Sequence, residues 1–590
     1  MNYKRLALIF FIFAIFLRVS LCLLNPPGNA FDDHLEPISL IIQHGTIPAK
    51  DACWECFQLP VFYVVSAMIG KLAIHIGANN AQVIKLLQST CCVYGILTIF
   101  MIYLILNRFN LSDFSKLFAF GLICFLPRHI YMSAMLSNDT ITYLFVAISI
   151  YILIIAIERK FSPISLIILS IIITITIFTK YSSFVIIPVM LTVFILGFRN
   201  LSAADKKKKA IYFSLAIFIP LSILGADIFS NVNNYGMALP EPNGLIVNRI
   251  ASQPRDEGGV GFLSFKPWES LKTPILAPGK LNSFWTIIYS GMWFDTEPKF
   301  LGFMDSNIAW WRQYYNWQNR GDNNFPGDNP SMSRFTMLEG SGLIALGLFP
   351  LILGIIGGCH IIADLRNVCN KNKWIEATKM SIFPVLFISN AAGLIAFTLK
   401  MPRYSAMKAS YLLSSMPTFA ICLSIGLMSI ENRNIFKRAI IIIFTAIFLL
   451  SFLHIMHISL CFLRHCGRGD LQFPTAYQAI FLDNGQVFFG RLQDDGSSYL
   501  TLREVFCIKR QASPDKKEVL NLLVKRGSEW HVPDFMRINY RHIVFIEPVA
   551  PNSKVALLIR EAELPPAGAP APAPAAAPPA NTPKPRPAGR

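Results

Sequence analysis

The chain contains many apolar runs long enough to cross a membrane. A transmembrane helix needs roughly 20 mostly apolar residues. About eleven such runs lie near 6–24, 82–105, 114–131, 139–157, 162–179, 182–199, 210–226, 340–363, 381–399, 407–429 and 439–462. With 53% hydrophobic and only 15% charged residues, the chain is not a soluble enzyme, a disordered protein or a disulfide-stapled secreted module. It is predicted to be an α-helical polytopic membrane protein.

Basic residues exceed acidic ones by 53 − 35 = +18. In a membrane protein this excess belongs to short cytoplasmic loops. Basic clusters lie at 4–5, 158–160, 206–209, 366–373 and 433–438. No basic stripe interleaved with aromatic residues is present, so nucleic acid is not an expected partner. Membrane lipids are expected partners.

A further apolar run at 58–77 contains Lys71 and His75. Counting it as a span would place the basic loop at 158–160 outside, so we expect an interfacial or partly inserted helix on the outer face. The N-terminal run leads into further spans and is predicted to be uncleaved. A multi-pass protein of the plasma (inner) membrane is expected. Its extracytoplasmic parts would be 25–81, 227–339, a short loop at 400–406 and everything after about 463.

The first outer loop carries two adjacent carboxylates and an imidazole, Asp32, Asp33 and His34. Paired carboxylates share charge, which raises one pKa and favours a proton acceptor near neutral pH. The alternative is a solvated loop in which Asp32 or Asp33 caps a helix over 34–44. Further along, Glu55, Gln58 and an aromatic residue of the segment 54–63 suit a polar ligand at the membrane surface; the alternative is an aromatic-belt anchor.

Ionisable residues also lie at the outer ends of later spans. Such groups at membrane depth tend to be functional, and the alternative for each cation is snorkelling. Several cations on one outer face favour a phosphate site. The candidate residues at these span ends are the carboxylate Asp139 in Ser137-Asn138-Asp139, Lys180 and Tyr181 after Thr179, and Arg403, Lys408 and Tyr411.

The long outer loop adds Asp295 and Glu297, followed by the aromatic residues of 310–317. Aromatic faces stack on sugar rings and carboxylates accept hydroxyl protons, whereas burial against lipid explains the same pattern.

In order and sidedness these motifs resemble the GT-C superfamily of membrane glycosyltransferases, in particular the protein O-mannosyltransferases and lipid A aminoarabinose transferases. Asp32-Asp33-His34 is similar to the family's acidic pair after the first span. Residues 55–63 are similar to its Glu-x-x-Gln-Pro-Pro-Leu-Tyr-Tyr segment, with departures at Leu59 and Phe62. Ser137-Asn138-Asp139, Thr179-Lys180-Tyr181 and the segment 408–413 match three further motifs.

The resemblance implies transfer of a sugar from a polyprenyl-phosphate-linked donor to a glycan, lipid or protein acceptor on the outer face. Asp32, with Asp33 as partner, would act as general base, and Lys180, Arg403 and Lys408 would bind the donor phosphate. His34, Glu55, Gln58, Asp139, Tyr181, Asp295 and Tyr411 would bind substrate. A divalent metal at Asp32 and Asp33 stays open. The alternatives are a ligase or polymerase of lipid-linked glycans, and a flippase, although no internal repeat is visible.

Twelve cysteines are present. Cys53 and Cys56 form a CxxC pair in an outer loop, without the second ligand pair of a zinc site or the βαβ context of a redox motif. A local disulfide, free thiols, or pairing with Cys466 or Cys507 remain alternatives.

The sequence predicts three regions: a GT-C-like transmembrane domain over 1–465, an extracytoplasmic β-rich domain over 466–563 and a disordered Pro/Ala-rich tail over 564–590. Alternating runs at 486–492, 498–508, 542–547 and 554–560 predict strands, and a helix is expected near 515–526.

Overall fold

A computed structural model describes most residues of the chain. They are 3–25, 27, 32–240, 262–272, 274, 283–296, 300, 334–366, 373–400, 407–465, 473, 475–482, 486–493, 499–512, 519–526, 535–539 and 543–563. The chain divides into two compact units, Met1–Arg464 and His465–Arg590.

The first unit is a bundle of helices. They are α1 (Tyr3–Leu24), α2 (Leu35–His44), α3 (Val61–His75), α4 (Asn80–Leu106), α5 (Asp113–Phe125), α6 (Pro127–Ser133), α7 (Asn138–Glu158), α8 (Pro163–Ile177), α9 (Ile186–Asn200), α10 (Ala203–Tyr235), α11 (Pro267–Lys272), α12 (Phe284–Trp293), α13 (Arg334–Asp364), α14 (Trp374–Lys400), α15 (Met416–Ile430) and α16 (Asn434–His465). Short 3-10 helices, Tyr181–Val185 and Ala409–Ser415, precede α9 and α15.

Nine helices of the described residues are long and apolar enough to cross a membrane, while α3 and α8 are shorter apolar helices. The expected polytopic helical fold is therefore confirmed. Two of the eleven expected spans are not among the nine: 162–179 is the shorter helix α8, and 114–131 is not continuous, because α5 ends at Phe125 and α6 begins at Pro127. Proline has no amide hydrogen and breaks the helical ladder. The buried guanidinium of Arg18 donates to the carbonyl of Cys124, near the end of α5, at 2.9 Å and lies 2.7 Å from Nδ1 of His129.

The helix ends fall into two groups. At one end α1 and α8 finish and α4 and α7 begin. At the opposite end charged residues connect three helices: Nζ of Lys379 lies 3.3 Å from Oε1 of Glu158 and donates to the backbone carbonyl of Arg108 at 3.1 Å. The residues predicted to bind substrate lie near the first end, and the basic loop at 158–160 lies at the other.

The second unit contains an antiparallel sheet in the order β4-β3-β2-β1-β6, with β5 also paired to β3. Its elements are β1 (Gln478–Leu482), β2 (Val487–Gln493), β3 (Tyr499–Ala512), β4 (Val519–Lys525), β5 (Phe535–Asn539), β6 (Ile543–Pro548) and the helix α17 (Lys554–Glu563). The expected β-rich region is present.

Two predictions for this unit were wrong. The segment expected to be a helix near 515–526 contains strand β4, because β3 offers a long edge with which it pairs from Val519 to Lys525. The run expected to be a strand at 554–560 lies in α17. Ser553 caps this helix, its Oγ accepting from the amide of Ala556 at 3.2 Å. Ala556 and Ile559, three residues apart, are buried on one helical face.

Candidate active site

Asp32 and Lys408 form an ion pair between two segments far apart in sequence. Asp32 lies just before α2, and Lys408 immediately precedes the 3-10 helix Ala409–Ser415. Nζ of Lys408 donates to Oδ1 and Oδ2 of Asp32 at 2.7 and 2.9 Å. The two side chains are mostly buried, with 10% of Lys408 and 23% of Asp32 exposed. A charge-assisted bond of this kind orients the carboxylate.

The charges around Asp32 keep its carboxyl ionised. Burial raises the pKa of Asp32, but the positive charges of Lys408 and Lys180 outweigh this effect and lower the pKa below its usual value. The direction is opposite to the one that the Asp32–Asp33 pair alone predicts. Asp33 is exposed, whereas Lys408 lies directly on the Asp32 carboxylate.

A second buried ion pair joins Lys180 to Asp139. Nζ of Lys180 donates to Oδ1 of Asp139 at 2.8 Å, and 7% and 2% of the two side chains are exposed. Asp139 lies in the first turn of α7, where the helix dipole favours negative charge. Nζ of Lys180 also lies 5.0 Å from the ring centroid of Tyr411. Burial lowers the pKa of Lys180, but Asp139 and Tyr411 reverse this and raise it, so the ammonium stays charged.

His34 and Glu55 are buried beside these pairs. Nδ1 of His34 lies 3.0 Å from the hydroxyl of Tyr63 and 3.9 Å from Oε2 of Glu55. The amide nitrogen of Asn138 donates to the same Tyr63 oxygen at 3.4 Å. Burial lowers the pKa of His34 to about 4. Burial first, and then the charge of Asp32, raise the pKa of Glu55 to about 8, so both groups are neutral at pH 7.

Four polar atoms in this group are buried without a hydrogen-bond partner within the described part of the chain. They are Nε2 of His34, Oε2 of Glu55, Oε1 of Gln58 and Oδ1 of Asn138. A buried polar atom left unsatisfied costs about 1–3 kcal/mol, and native proteins contain few of them. Four such atoms in one place make this group a candidate binding site for a polar ligand.

The structure thus brings together seven of the residues selected from the sequence: Asp32, His34, Glu55, Gln58, Asp139, Lys180 and Lys408, with the ring of Tyr411 at the edge. Tyr181 has a different neighbourhood. Its hydroxyl accepts from Nζ of Lys50 at 3.0 Å, and Lys50 pairs with Asp227 at 2.9 Å. The ring of Tyr181 also stacks on Phe57, so Tyr181 supports the loop that carries Glu55.

Asp295 is buried after α12, and its Oδ2 accepts from the amide of Phe300 at 2.7 Å. Arg403, Glu297 and the aromatic residues of 310–317 lie outside the described residues. Their predicted roles remain predictions.

Four contributors to this site were not selected as site residues from the sequence. Tyr63 and Asn138 were noticed only as parts of longer motifs, and their contact depends on packing between α3 and α7. Lys50 was not selected. The fourth is the disulfide between Cys53 and Cys56, one of the alternatives that the sequence left open, whose Cα atoms are 5.0 Å apart. It closes the turn that holds Glu55, and Cys507 is free.

The residues do not fit a divalent metal at Asp32 and Asp33. The carboxylate of Asp32 faces an ammonium, and Asp33 is exposed. Among the described residues, no group of three or more His, Cys, Asp and Glu side chains is arranged to hold a metal ion.

Known proteins match part of the chain. The family described as dolichyl-phosphate-mannose-protein mannosyltransferase matches residues 63–224, which is 162 of 590 residues. No curated protein matches. The match confirms the resemblance to the GT-C superfamily.

Among solved structures, the chain is similar to the oligosaccharyltransferase of Archaeoglobus fulgidus in complex with zinc and sulfate. The identity is 14% and the TM-score 0.41, over 76% of this chain and 53% of that one. It is also similar to AglB from Archaeoglobus fulgidus in complex with an inhibitory peptide and a dolichol-phosphate. Here the identity is 13% and the TM-score 0.42, over 78% and 56% of the two chains. The present chain thus spans little more than half the length of these proteins.

Proposed function

We propose that this protein transfers a sugar from a polyprenyl-phosphate-linked donor to a hydroxyl group of a glycan, lipid or protein. The observation that carries the proposal is the ionised carboxylate of Asp32 held by Lys408, with Lys180 and a cluster of unsatisfied polar atoms beside it. A base, two cations and a polar pocket are the parts that such a transfer needs.

Asp32 is the general base in this proposal. Its carboxylate accepts the proton of the acceptor hydroxyl while that oxygen bonds to the anomeric carbon. The bond between this carbon and the donor phosphate oxygen breaks, and the lipid phosphate leaves with the electron pair. A single displacement inverts the anomeric centre.

Lys180, Lys408 and Arg403 neutralise the phosphate as it departs. Lys180 suits this role because Asp139 keeps it charged in a buried place. Lys408 has two tasks: it keeps Asp32 ionised and lies where a phosphate oxygen can approach it. His34, Glu55 and Gln58 bind sugar hydroxyls, and the ring of Tyr411 lines the cation site, while Tyr181 and Asp295 support neighbouring loops.

The reaction takes place on the extracytoplasmic side. The support is that the site and the basic loop at 158–160 lie at opposite ends of the helices, and basic loops favour the cytoplasm.

The test is Asp32→Asn in membranes supplied with a labelled polyprenyl-phosphate sugar, with Asp33→Asn as matched control. Loss of a general base lowers the rate by roughly 10²–10⁴-fold, whereas the exposed Asp33 is expected to matter little. Undiminished transfer by Asp32→Asn would rule out the catalytic role of Asp32. An equal loss in Asp33→Asn would show instead that Asp32 and Asp33 act together.

A further inference from the structure

A short chain of hydrogen bonds around Tyr63 determines which nitrogen of His34 carries the proton. The amide nitrogen of Asn138 can only donate, so at 3.4 Å the Tyr63 oxygen accepts from it. Tyr63 has one proton of its own, and Nδ1 of His34 lies 3.0 Å away. When the phenol donates to Nδ1, its proton has an acceptor. If Nδ1–H donated instead, the Tyr63 oxygen would accept twice and its own proton would have no acceptor among the described residues.

The ring of His34 is neutral at pH 7, because burial lowers its pKa to about 4. A neutral imidazole has one N–H donor and one acceptor nitrogen. With Nδ1 accepting from Tyr63, the proton resides on Nε2. Nε2 is buried and has no acceptor within the described part of the chain.

The other unsatisfied atoms of the site indicate what kind of ligand group would contact this donor. Oε1 of Gln58 and Oδ1 of Asn138 are buried acceptors without partners in the described residues, and Oε2 of the neutral Glu55 carboxyl, which can both donate and accept, has none there either. A set that contains both donors and acceptors complements hydroxyl groups, which both donate and accept. It does not complement a phosphate, which only accepts.

We propose that Tyr63 and Asn138 are positioning residues that hold His34 as its Nε2–H tautomer, so that His34 donates a hydrogen bond to a hydroxyl of the transferred sugar. This inference rests on the proposed glycosyl transfer. It distinguishes the sugar-recognising part of the site, around His34 and Glu55, from the phosphate-binding part, around Lys180 and Lys408.

Two substitutions of His34 test the tautomer. Glutamine places an amide N–H close to the position of Nε2, whereas asparagine places one close to Nδ1. We expect His34→Asn to lose roughly tenfold more kcat/KM than His34→Gln, the cost of one buried hydrogen bond. Equal losses in the two variants would contradict the proposal. Thermal unfolding in detergent checks that both fold.

Tyr63→Phe, measured in two backgrounds, tests whether Tyr63 acts through His34. In the natural sequence it lowers kcat/KM several-fold, roughly the value of one hydrogen bond. In the His34→Gln background it has no further effect, because no tautomer remains to be fixed. A purely structural role of Tyr63 gives the same loss in both backgrounds and would overturn the inference.

A readout without turnover separates this inference from the proposed function. In nitrogen NMR spectra of histidine-labelled protein, the signals missing from His34→Gln identify His34. We expect a protonated Nε2 and an unprotonated Nδ1, with a shift toward the other tautomer in Tyr63→Phe. A protonated Nδ1 overturns the inference even if transfer occurs. The expected tautomer in a protein that transfers no lipid-linked sugar overturns the proposed function instead.

Discussion

Nζ of Lys408 contacts both carboxylate oxygens of Asp32 across 376 residues of sequence. The contact joins the loop before α2 to the segment that leads into α15. The acidic neighbour of Asp32 in sequence, Asp33, is exposed. A cation from a distant segment therefore governs the charge state of the proposed base.

Removing this cation is expected to move the acidic limb of the activity profile to higher pH. In Lys408→Met burial still raises the pKa of Asp32, but the main cation that lowers it is absent. The carboxyl therefore stays protonated to a higher pH, where it cannot act as a base. Transfer measured against pH shows the shift. Lys71→Met, at an exposed lysine of α3, is the matched control. An unmoved acidic limb in Lys408→Met would show that Lys408 does not set the titration.

Ionisation of Glu55 is expected to lower the activity at high pH. Its pKa of about 8 keeps it neutral below that pH. As pH rises through 8 it ionises, and a second negative charge appears beside Asp32 and the donor phosphate. Glu55→Gln should therefore lack this basic limb, and the exposed Glu36→Gln should retain it. If activity still falls at high pH in Glu55→Gln, the titration of another group causes the loss.

The pair of Lys180 and Asp139 is expected to matter for stability as well as for transfer. Removing one partner of a buried pair leaves an uncompensated charge and costs about 3–5 kcal/mol. Lys180→Met should therefore lower the thermal unfolding temperature strongly. Lys180→Met combined with Asp139→Asn should recover much of this loss without recovering transfer. If the double variant is as unstable as the single one, the two charges are not coupled.

The disulfide of Cys53 and Cys56 is expected to hold Glu55 in place. Displacing a binding group by about 1 Å costs up to roughly 100-fold in rate, so Cys53→Ser with Cys56→Ser should lower kcat/KM by roughly tenfold or more. Reductant should affect the natural protein and leave this double variant unchanged. Alkylation followed by mass spectrometry counts the free thiols, and Cys359→Ser, at an exposed free cysteine, is the control. Full activity of the double variant would assign the disulfide to stability alone.

Much of the fold is predictable from local sequence because the membrane sets a local requirement. Roughly 20 apolar residues form a spanning helix wherever they occur, and each of the predicted runs is helical in the described residues. The exceptions also have local causes. Pro127 interrupts the span expected at 114–131, and Ser553 starts a helix where alternation indicated a strand.

The candidate residues at the helix ends were identifiable because charge next to a membrane span is unusual. The residues with which they pair could not be identified from the sequence. Asp32 was paired with Asp33 by adjacency, and Glu55 could not be recognised as the carboxyl with the raised pKa, because burial depends on the packing of segments distant in sequence.

The sequence by itself determined the class of molecule, the order of its helices and the residue types available for chemistry, since hydropathy and charge act over a few turns of chain. Only the tertiary structure decided that Asp32 meets Lys408, that Lys180 meets Asp139 and that His34 meets Tyr63. Ion pairs and hydrogen bonds need contact within about 3–4 Å, and for residues tens to hundreds of positions apart only the packing of the helices provides that proximity.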